Sequence, residues 1–315
     1  TVSGLYFNDN YYQVGLFSYV DSGTISNVGV IDSYLKSSDT WGVAGGICGT
    51  NLSGTIENCY SSGRIYGEDS SGGISGTNHG IIKNCYNIST LEGGNGKIGS
   101  GVGGICGYNT GIIENCHSVG KIENVVGYNG GLCGYNCDTI KNSYFNSDVY
   151  AGDYIGIYNG AGTIENVSAK TTAEFASGEV CYLLNGDQTK IAFYQTIGED
   201  DYPVLDSTRK TVYADTDCDG SALNYTNGSD VSQSDHDWDD NGFCKNYPTH
   251  YQKPEEVNGV YQIANAGQLY WFAAYVNTYD YDNATYPNVA ANAVLTADIT
   301  VNEGDVAGYD GTKAE

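Results

Sequence analysis

The chain has 315 residues and carries 13 basic against 38 acidic side chains, which gives a formal net charge of −25. A surface this acidic repels phosphate backbones and anionic lipid headgroups, so nucleic-acid binding and membrane-surface binding are disfavoured. No apolar run approaches the roughly 20 residues that span a bilayer, so we expect no membrane insertion.

The first element is a repeat, which reads GGICGTNLSGTIENCYSSGRI at 45–65 and GGICGYNTGIIENCHSVGKI at 103–122. A unit this short cannot bury its own apolar face, whereas stacked copies can, so the repeat predicts a β-solenoid of six coils over residues 1–170. One asparagine of the repeat recurs in steps of 24 to 31 residues, at Asn27, Asn58, Asn84, Asn115, Asn142 and Asn166.

A charged column supports this stacking. Coils of a β-solenoid lie about 4.8 Å apart, so equivalent side chains become neighbours. Opposite charges in such positions stabilise a sheet by roughly 0.2 to 1 kcal/mol for each pair. The residue before the recurring asparagine alternates in sign, and we expect a charge ladder of Glu57, Lys83, Glu114, Lys141 and Glu165. The asparagines are predicted to form corners, because Asn tolerates left-handed backbone.

Cysteines and aromatic residues form further columns. Packing tolerates Phe, Val or Ser in place of cysteine, which a metal site or an obligatory disulfide does not, so we expect buried core thiols. A local Cys133–Cys137 bridge stays open. The cysteine columns are Cys48, Cys106 and Cys133, and Cys59, Cys85 and Cys116. The aromatic columns are Tyr60, Tyr86, His117 and Tyr144, and Tyr108 and Tyr135; they indicate either packing between coils or a platform for sugar rings.

Over roughly residues 1–170 the glycine and asparagine phrases resemble the GLUG motif, a repeat of bacterial cell-surface proteins that also occurs in some immunoglobulin-A-cleaving peptidases. The resemblance implies an all-β, right-handed parallel β-helix on an extracellular protein of the bacterial cell surface, with adhesion as the suspected role. It does not imply catalysis by the repeats. No HExxH motif occurs, so the peptidase association does not carry over to this chain.

The periodicity changes at residue 171. Thr171 and Glu174 form a capping-box pattern in front of an apolar stretch that ends at Gly186. We therefore predict a C-terminal cap helix that closes the open end of the solenoid, followed by an extended linker, over residues 171–214.

Residues 215–256 are predicted to form a small acidic module that contains cysteine and histidine. Asp215, Asp217 and Asp219 stand where a calcium loop begins, but Thr226 occupies the twelfth position, where glutamate is expected. A solvated acidic loop is the alternative. The sequence therefore leaves calcium open as a cofactor.

A disulfide between Cys218 and Cys244 is our preferred interpretation of the cysteines in this module. Together with His236 and His250 they could instead bind zinc, although the spacing matches no common zinc finger. The segment resembles linker modules that follow GLUG arrays and often carry a further cysteine where this chain has Tyr247. That departure weakens the zinc interpretation.

Residues 257–315 carry a strand–helix–strand pattern. Asn265 and Gln268 make a capping box, and an apolar face follows. That face, which we predict to be an assembly helix, consists of Leu269, Phe272, Ala273 and Val276. The pattern resembles the opening of a GLUG solenoid. The first residues of the chain, TVSGLYFN, resemble the sequence that follows such an opening. The chain is then either one period of a tandem array, as part of a longer precursor, or a copy that joins others head to tail.

The sequence as a whole predicts a non-enzymatic structural or adhesive repeat module whose main partner is a copy of itself, with a glycan or host surface as a further partner. A carbohydrate-binding adhesin that uses the tyrosine columns is the alternative. A polysaccharide-degrading β-helix is disfavoured, because glycoside hydrolysis needs two carboxylates that converge across a cleft. Here lysines separate Glu57, Glu114 and Glu165.

Overall fold

The computed structural model describes residues 1–94, 101–160, 162–186, 188–216, 223–228, 238–245, 251–277 and 288–301. The chain divides into two compact units. The first comprises residues 1–214 and 225–229, so the predicted solenoid and cap segment form one body. The second comprises residues 215–224 and 230–315, so the two remaining predicted segments also belong together.

The first unit is a parallel β-solenoid, as the repeat predicted, and its strands lie in three sheets. The largest sheet contains β1 (Val2–Ser3), β2 (Tyr6–Asp9), β5 (Thr24–Ser26), β6 (Gly29–Ser37), β9 (Thr55–Glu57), β10 (Tyr60–Gly67), β13 (Ile81–Lys83), β14 (Tyr86–Asn87), β15 (Thr90–Gly93), β18 (Ile112–Glu114), β19 (His117–Ser118), β20 (Ile122–Val125), β23 (Thr139–Asn146) and β25 (Ile164–Lys170).

The other two sheets follow the same order of coils. One contains β3 (Gln13–Val14), β7 (Val43–Gly45), β11 (Ser70–Gly72), β16 (Gly101–Gly103) and β21 (Tyr128–Gly130). The other contains β4 (Phe17–Val20), β8 (Cys48–Asn51), β12 (Ser75–Asn78), β17 (Cys106–Asn109), β22 (Cys133–Asn136) and β24 (Ile155–Tyr158). The last sheet has six strands, one for each predicted coil.

Asparagines form the corners, as expected. All six of the recurring asparagines have positive φ, between 43° and 59°. Beginning with Asn58, each side-chain amide donates to the Oδ1 of the asparagine one coil earlier, over 3.0 to 3.4 Å. A second column, from Asn51 to Asn136, is fully buried and joined by Nδ2–Oδ1 bonds of 2.7 to 2.8 Å. These bonds satisfy polar groups that would otherwise be costly inside the core.

The paired glycines of the motif mark close contacts between backbones. A Cβ atom on Gly103 would lie 2.1 Å from the carbonyl oxygen of Cys106, and the same separation recurs between Gly45 and Cys48. No side chain fits at such a distance, so glycine is required before β8 and β17. This requirement explains why the motif keeps its glycines while other positions vary.

The cysteine columns lie in the core as free thiols, which confirms the packing interpretation. Cys48, Cys106 and Cys133 are completely buried, and Cys133 is not bridged to Cys137. Burial raises the pKa of Cys48 to about 12. Burial also raises the pKa of Cys106 and Cys133, so the thiols of this column are protonated and unreactive near neutral pH.

The predicted cap forms two helices instead of one, α1 (Thr172–Ala176) and α2 (Glu179–Leu184). The capping box between Thr171 and Glu174 is present, and Gly178, with φ of 93°, separates the helices. They pack against the flank of the solenoid and share a buried cluster with Tyr86 and Tyr144. The segment therefore covers the aromatic column along the side of the coils, and closure of the end of the last coil stays a prediction.

The remaining strands are β26 (Tyr213–Thr216), β27 (Leu223–Thr226), β28 (Glu255–Val257), β29 (Val260–Ile263) and β30 (Asn292–Leu295), and the remaining helix is α3 (Ala266–Asn277). In the second unit, β29 pairs antiparallel with β28 and parallel with β30. Asn265 caps α3, because its side chain accepts a hydrogen bond from the N–H of Gln268. The predicted capping box requires the Gln268 side chain to accept the N–H of Asn265, but it accepts the N–H of Ala264 instead.

Candidate functional site

The charge ladder lies in register along one edge of the solenoid. Lys83 pairs with Glu57 on one side and with Glu114 on the other, and Lys141 lies between Glu114 and Glu165. The Nζ of Lys83 is 2.9 Å from Glu57 Oε2, and the Nζ of Lys141 is 3.4 Å from Glu165 Oε2. Because a lysine lies between successive glutamates, the column holds its carboxylates apart.

The aromatic column is a stack inside the molecule. Tyr60 and Tyr86 have ring centroids 4.8 Å apart, and Tyr86 and His117 are 5.1 Å apart with nearly parallel planes. Tyr144 follows in register with His117. Tyr86 and Tyr144 are only 5% and 4% exposed. The proposed sugar platform on these rings is therefore wrong, because the cap segment already covers them.

The second aromatic pair also packs between coils. Tyr108 and Tyr135 lie in register with ring centroids 5.5 Å apart. Tyr135 is 5% exposed and offers little open ring surface, while Tyr108 is half-buried.

His117 lies at the centre of the covered column. Its Nε2–H donates to the carbonyl oxygen of Pro203 over 2.9 Å, and its Nδ1 has no hydrogen-bond partner among the residues that the structure describes. Phe175 and Phe193 lie 5.6 and 5.5 Å from the imidazole centroid. Burial lowers the pKa of His117 to about 3. The imidazole is therefore neutral near neutral pH and holds the cap on the solenoid.

The predicted metal and disulfide positions are mostly outside the described residues. This applies to Asp217, Cys218, Asp219, His236 and His250, and Asp215 is described only as part of β26. Cys244 is buried. Within the described ranges, no group of three or more His, Cys, Asp or Glu side chains is arranged to hold a metal ion. Calcium, zinc and the Cys218–Cys244 disulfide thus stay predictions.

The first coil is uncovered. Among the described strands, β2 pairs with β6 alone, and β3, β4 and β5 each stand at the end of their strand order. Phe17 is 42% exposed, although the equivalent residue one coil further, Cys48, is fully buried. Phe7 is 41% exposed, whereas Leu35 below it is 1% exposed. Core positions of the solenoid are thus open at this edge.

Further aromatic residues extend this exposed surface. We define the first-coil edge as a set of six aromatic residues that are between 41% and 70% exposed. They are Tyr6, Phe7, Tyr11, Tyr12, Phe17 and Tyr19. Sequence reasoning did not identify this set. The available signal was Phe17, a large ring in a column where the next four coils contain cysteine or serine.

The second unit has an open strand as well. β30 is the end strand of its sheet, and Val294 and Leu295 on it are 44% and 59% exposed. Val260 of β29 lies opposite Asn292, which is 32 residues further along the chain. Paired strands of the solenoid are separated in the same way, for example by 28 residues between Val2 and Val30. β29 and β30 therefore pair in parallel with a separation along the chain like that of successive coils, and α3 lies between them in the sequence.

The predicted assembly helix packs on this coil with aromatic residues. Phe272 lies 5.6 Å from Tyr261, between ring centroids, and Trp271 and Tyr275 also contact Tyr261. Sequence reasoning missed the last two. Of the other predicted residues, Leu269 and Val276 are half-buried and Ala273 is exposed. Among the described residues, no helix is both long and apolar enough to cross a membrane.

The comparisons with known proteins agree with the repeat. The model of the GLUG motif matches residues 42–66 and 98–123. No significant match was found among curated proteins. A crystal structure at 1.30 Å of a proposed immunoglobulin A1 protease from Bacteroides ovatus is 21% identical, with a TM-score of 0.46, over 64% of this chain and 74% of that chain. Two stretches of the solenoid thus match the GLUG motif.

Proposed function

We propose that this chain is a non-enzymatic structural module of an extracellular, bacterial cell-surface protein, and that it joins a second copy of itself head to tail. The observation that carries the proposal is the first-coil edge, where Phe7 and Phe17 occupy core columns without a coil above them. The chain's net charge of −25 suits a well-solvated surface protein.

The first-coil edge favours an added strand. An end strand leaves backbone N–H and C=O groups unpaired, which invites pairing with another chain. Burying a large apolar side chain completely stabilises a complex by roughly 1.5 to 3 kcal/mol, before the cost of association. Six partly exposed aromatic residues therefore provide a sizeable driving force for covering this edge.

The occupant that fits this edge is the second unit of another copy. β29 and β30 already pair in parallel, as successive strands of the solenoid do, and no described strand pairs with the outer edge of β30. A parallel strand that joins this edge continues the sheet by β-strand addition. The first coil of one copy would thus follow β30 of the next copy.

Sedimentation velocity over a range of concentrations tests this proposal. We expect the intact chain to form larger species as its concentration rises, and Phe17→Asp to weaken association at least tenfold, because it places a charge in the joined core. Ile112→Asp is the matched control: Ile112 is 38% exposed, close to the 42% of Phe17, but lies in a middle coil. A chain that stays monomeric at millimolar concentration would refute head-to-tail assembly.

A further inference from the structure

A groove of about 500 Å³ lies on the first unit, where the aromatic column ends. It is formed between the last two coils and α2, and its lining residues are Asn142, Tyr144, Asn166, Val167, Ser168, Lys170, Tyr182, Leu183 and Gly186. We propose that this groove binds one ring of a neutral saccharide. The proposal does not depend on head-to-tail assembly.

The groove exists because the column lacks its last ring. Tyr86, His117 and Tyr144 occupy equivalent positions in successive coils, and the next position holds Ser168. A serine is too small to fill the space that a ring fills in the coils before it. The space is left between the last coil and Tyr182 and Leu183 of α2.

Two polar groups in the groove have unused hydrogen-bonding capacity. Asn166 is the last member of the corner column: its Nδ2 donates to Asn142 Oδ1 over 3.0 Å, and its Oδ1 accepts no hydrogen bond from the described residues. The Ser168 hydroxyl has no partner within the described part of the chain either. An amide oxygen beside a hydroxyl can bind neighbouring hydroxyl groups of a sugar.

The charges around the groove favour a neutral ligand. Lys170 is the cation among the lining residues, and its Nζ lies 3.2 Å from Glu174 Oε1 and also contacts Glu179. Because two carboxylates already neutralise this ammonium group, and because the whole chain carries a charge of −25, an anionic sugar would be repelled.

The apolar walls suit the C–H face of a pyranose ring. Tyr182, Leu183 and Val167 provide these walls, and the volume falls within the usual range of small-molecule sites, about 300 to 1,000 Å³. A ligand of about 12 non-hydrogen atoms with ordinary efficiency binds with a Kd on the order of 1 mM. We therefore expect weak binding of a single residue, such as the end of a glycan.

Saturation-transfer NMR on the full chain tests this inference, with glucose, galactose, mannose and N-acetylglucosamine as neutral probes and glucuronate as the anionic one. We expect saturable binding of at least one neutral sugar and at least tenfold weaker binding of glucuronate. Ser168→Tyr supplies the missing ring and should abolish binding while the fold is retained, because three coils already carry tyrosine in this column.

A second pair of variants keeps the test independent of packing. Asn166→Gly removes the free amide at a position with φ of 52°, where glycine is well tolerated, and should weaken binding at least tenfold. Asn27→Gly is its matched control, because Asn27 is the opposite end of the same column, with φ of 59°. Absence of binding by all neutral sugars, equal binding of glucuronate, or binding that survives Ser168→Tyr would overturn the inference.

Discussion

At the scale of single residues, the sequence predicted columns but not what covers them. The tyrosines and His117 were expected to stack, and they do so because equivalent positions lie one coil apart. Pro203, which accepts the hydrogen bond of His117, is 86 residues away in the sequence. No local pattern contains that contact, so the choice between open platform and buried stack could not be made from the sequence.

The burial of His117 predicts a loss of stability in acid. The pKa of His117 is about 3 in the folded protein, against 6.5 ordinarily, so the unfolded chain binds this proton more tightly than the folded protein does. Above pH 6.5 the imidazole is neutral in both states, and the fold is not weakened by its protonation. Stability is lost as the pH falls from 6.5 towards 3, by up to about 1.4 kcal/mol for each pH unit. Urea unfolding of wild type and His117→Phe at pH 7 and pH 4.5 measures it.

We expect His117→Phe to lose less stability between these two pH values than the wild type does, because phenylalanine keeps the ring stack and cannot be protonated. The carboxylates of the chain titrate in both proteins, so the comparison cancels their effect. An identical pH dependence in the two proteins would show that His117 is not the buried neutral group described above.

At the scale of elements, local signals were reliable and placement was not. The capping box of Thr171 and Glu174 was predicted correctly, because both partners are three residues apart. The break at Gly178 was missed, since apolar spacing on both sides suggested one continuous helix. The surface that α1 and α2 cover was also missed, because an apolar face indicates that a helix is buried and not what buries it.

The charge ladder belongs to this scale, and Lys83→Glu tests it. The variant places three glutamates in register, at positions 57, 83 and 114. The Lys83 side chain is 40% exposed, so solvent screening limits the expected loss of unfolding free energy to at most about 1 kcal/mol. Chemical denaturation at low and high salt measures the loss, which should shrink at high salt.

Lys121→Glu is the control for this substitution. It makes the same change of charge, but Lys121 takes part in no ion pair among the described residues. Equal destabilisation by the two variants, or a loss that does not respond to salt, would mean that the ladder contributes nothing beyond the overall charge.

At the scale of the whole chain, the repeat allowed the solenoid to be predicted, because every coil presents the same pattern and stacking is the only way to bury it. The ends could not be predicted in the same detail. The sequence does not tell which side chains at the ends are exposed. In the structure, Phe17 on the first coil is 42% exposed and Leu295 on β30 is 59% exposed. These two open edges, one on each unit, are the basis of the proposed assembly.

Mixing two variants, each with one edge blocked, tests head-to-tail joining most directly. Phe17→Asp blocks the first-coil edge, and Val294→Asp with Leu295→Asp blocks the edge of β30. Each variant alone should remain monomeric, because either block interrupts the chain of copies. Native mass spectrometry of the equimolar mixture should then show a complex of twice the 33.6 kDa chain mass that grows no further. A mixture that contains monomers alone, or a variant that dimerises with itself, would contradict the account.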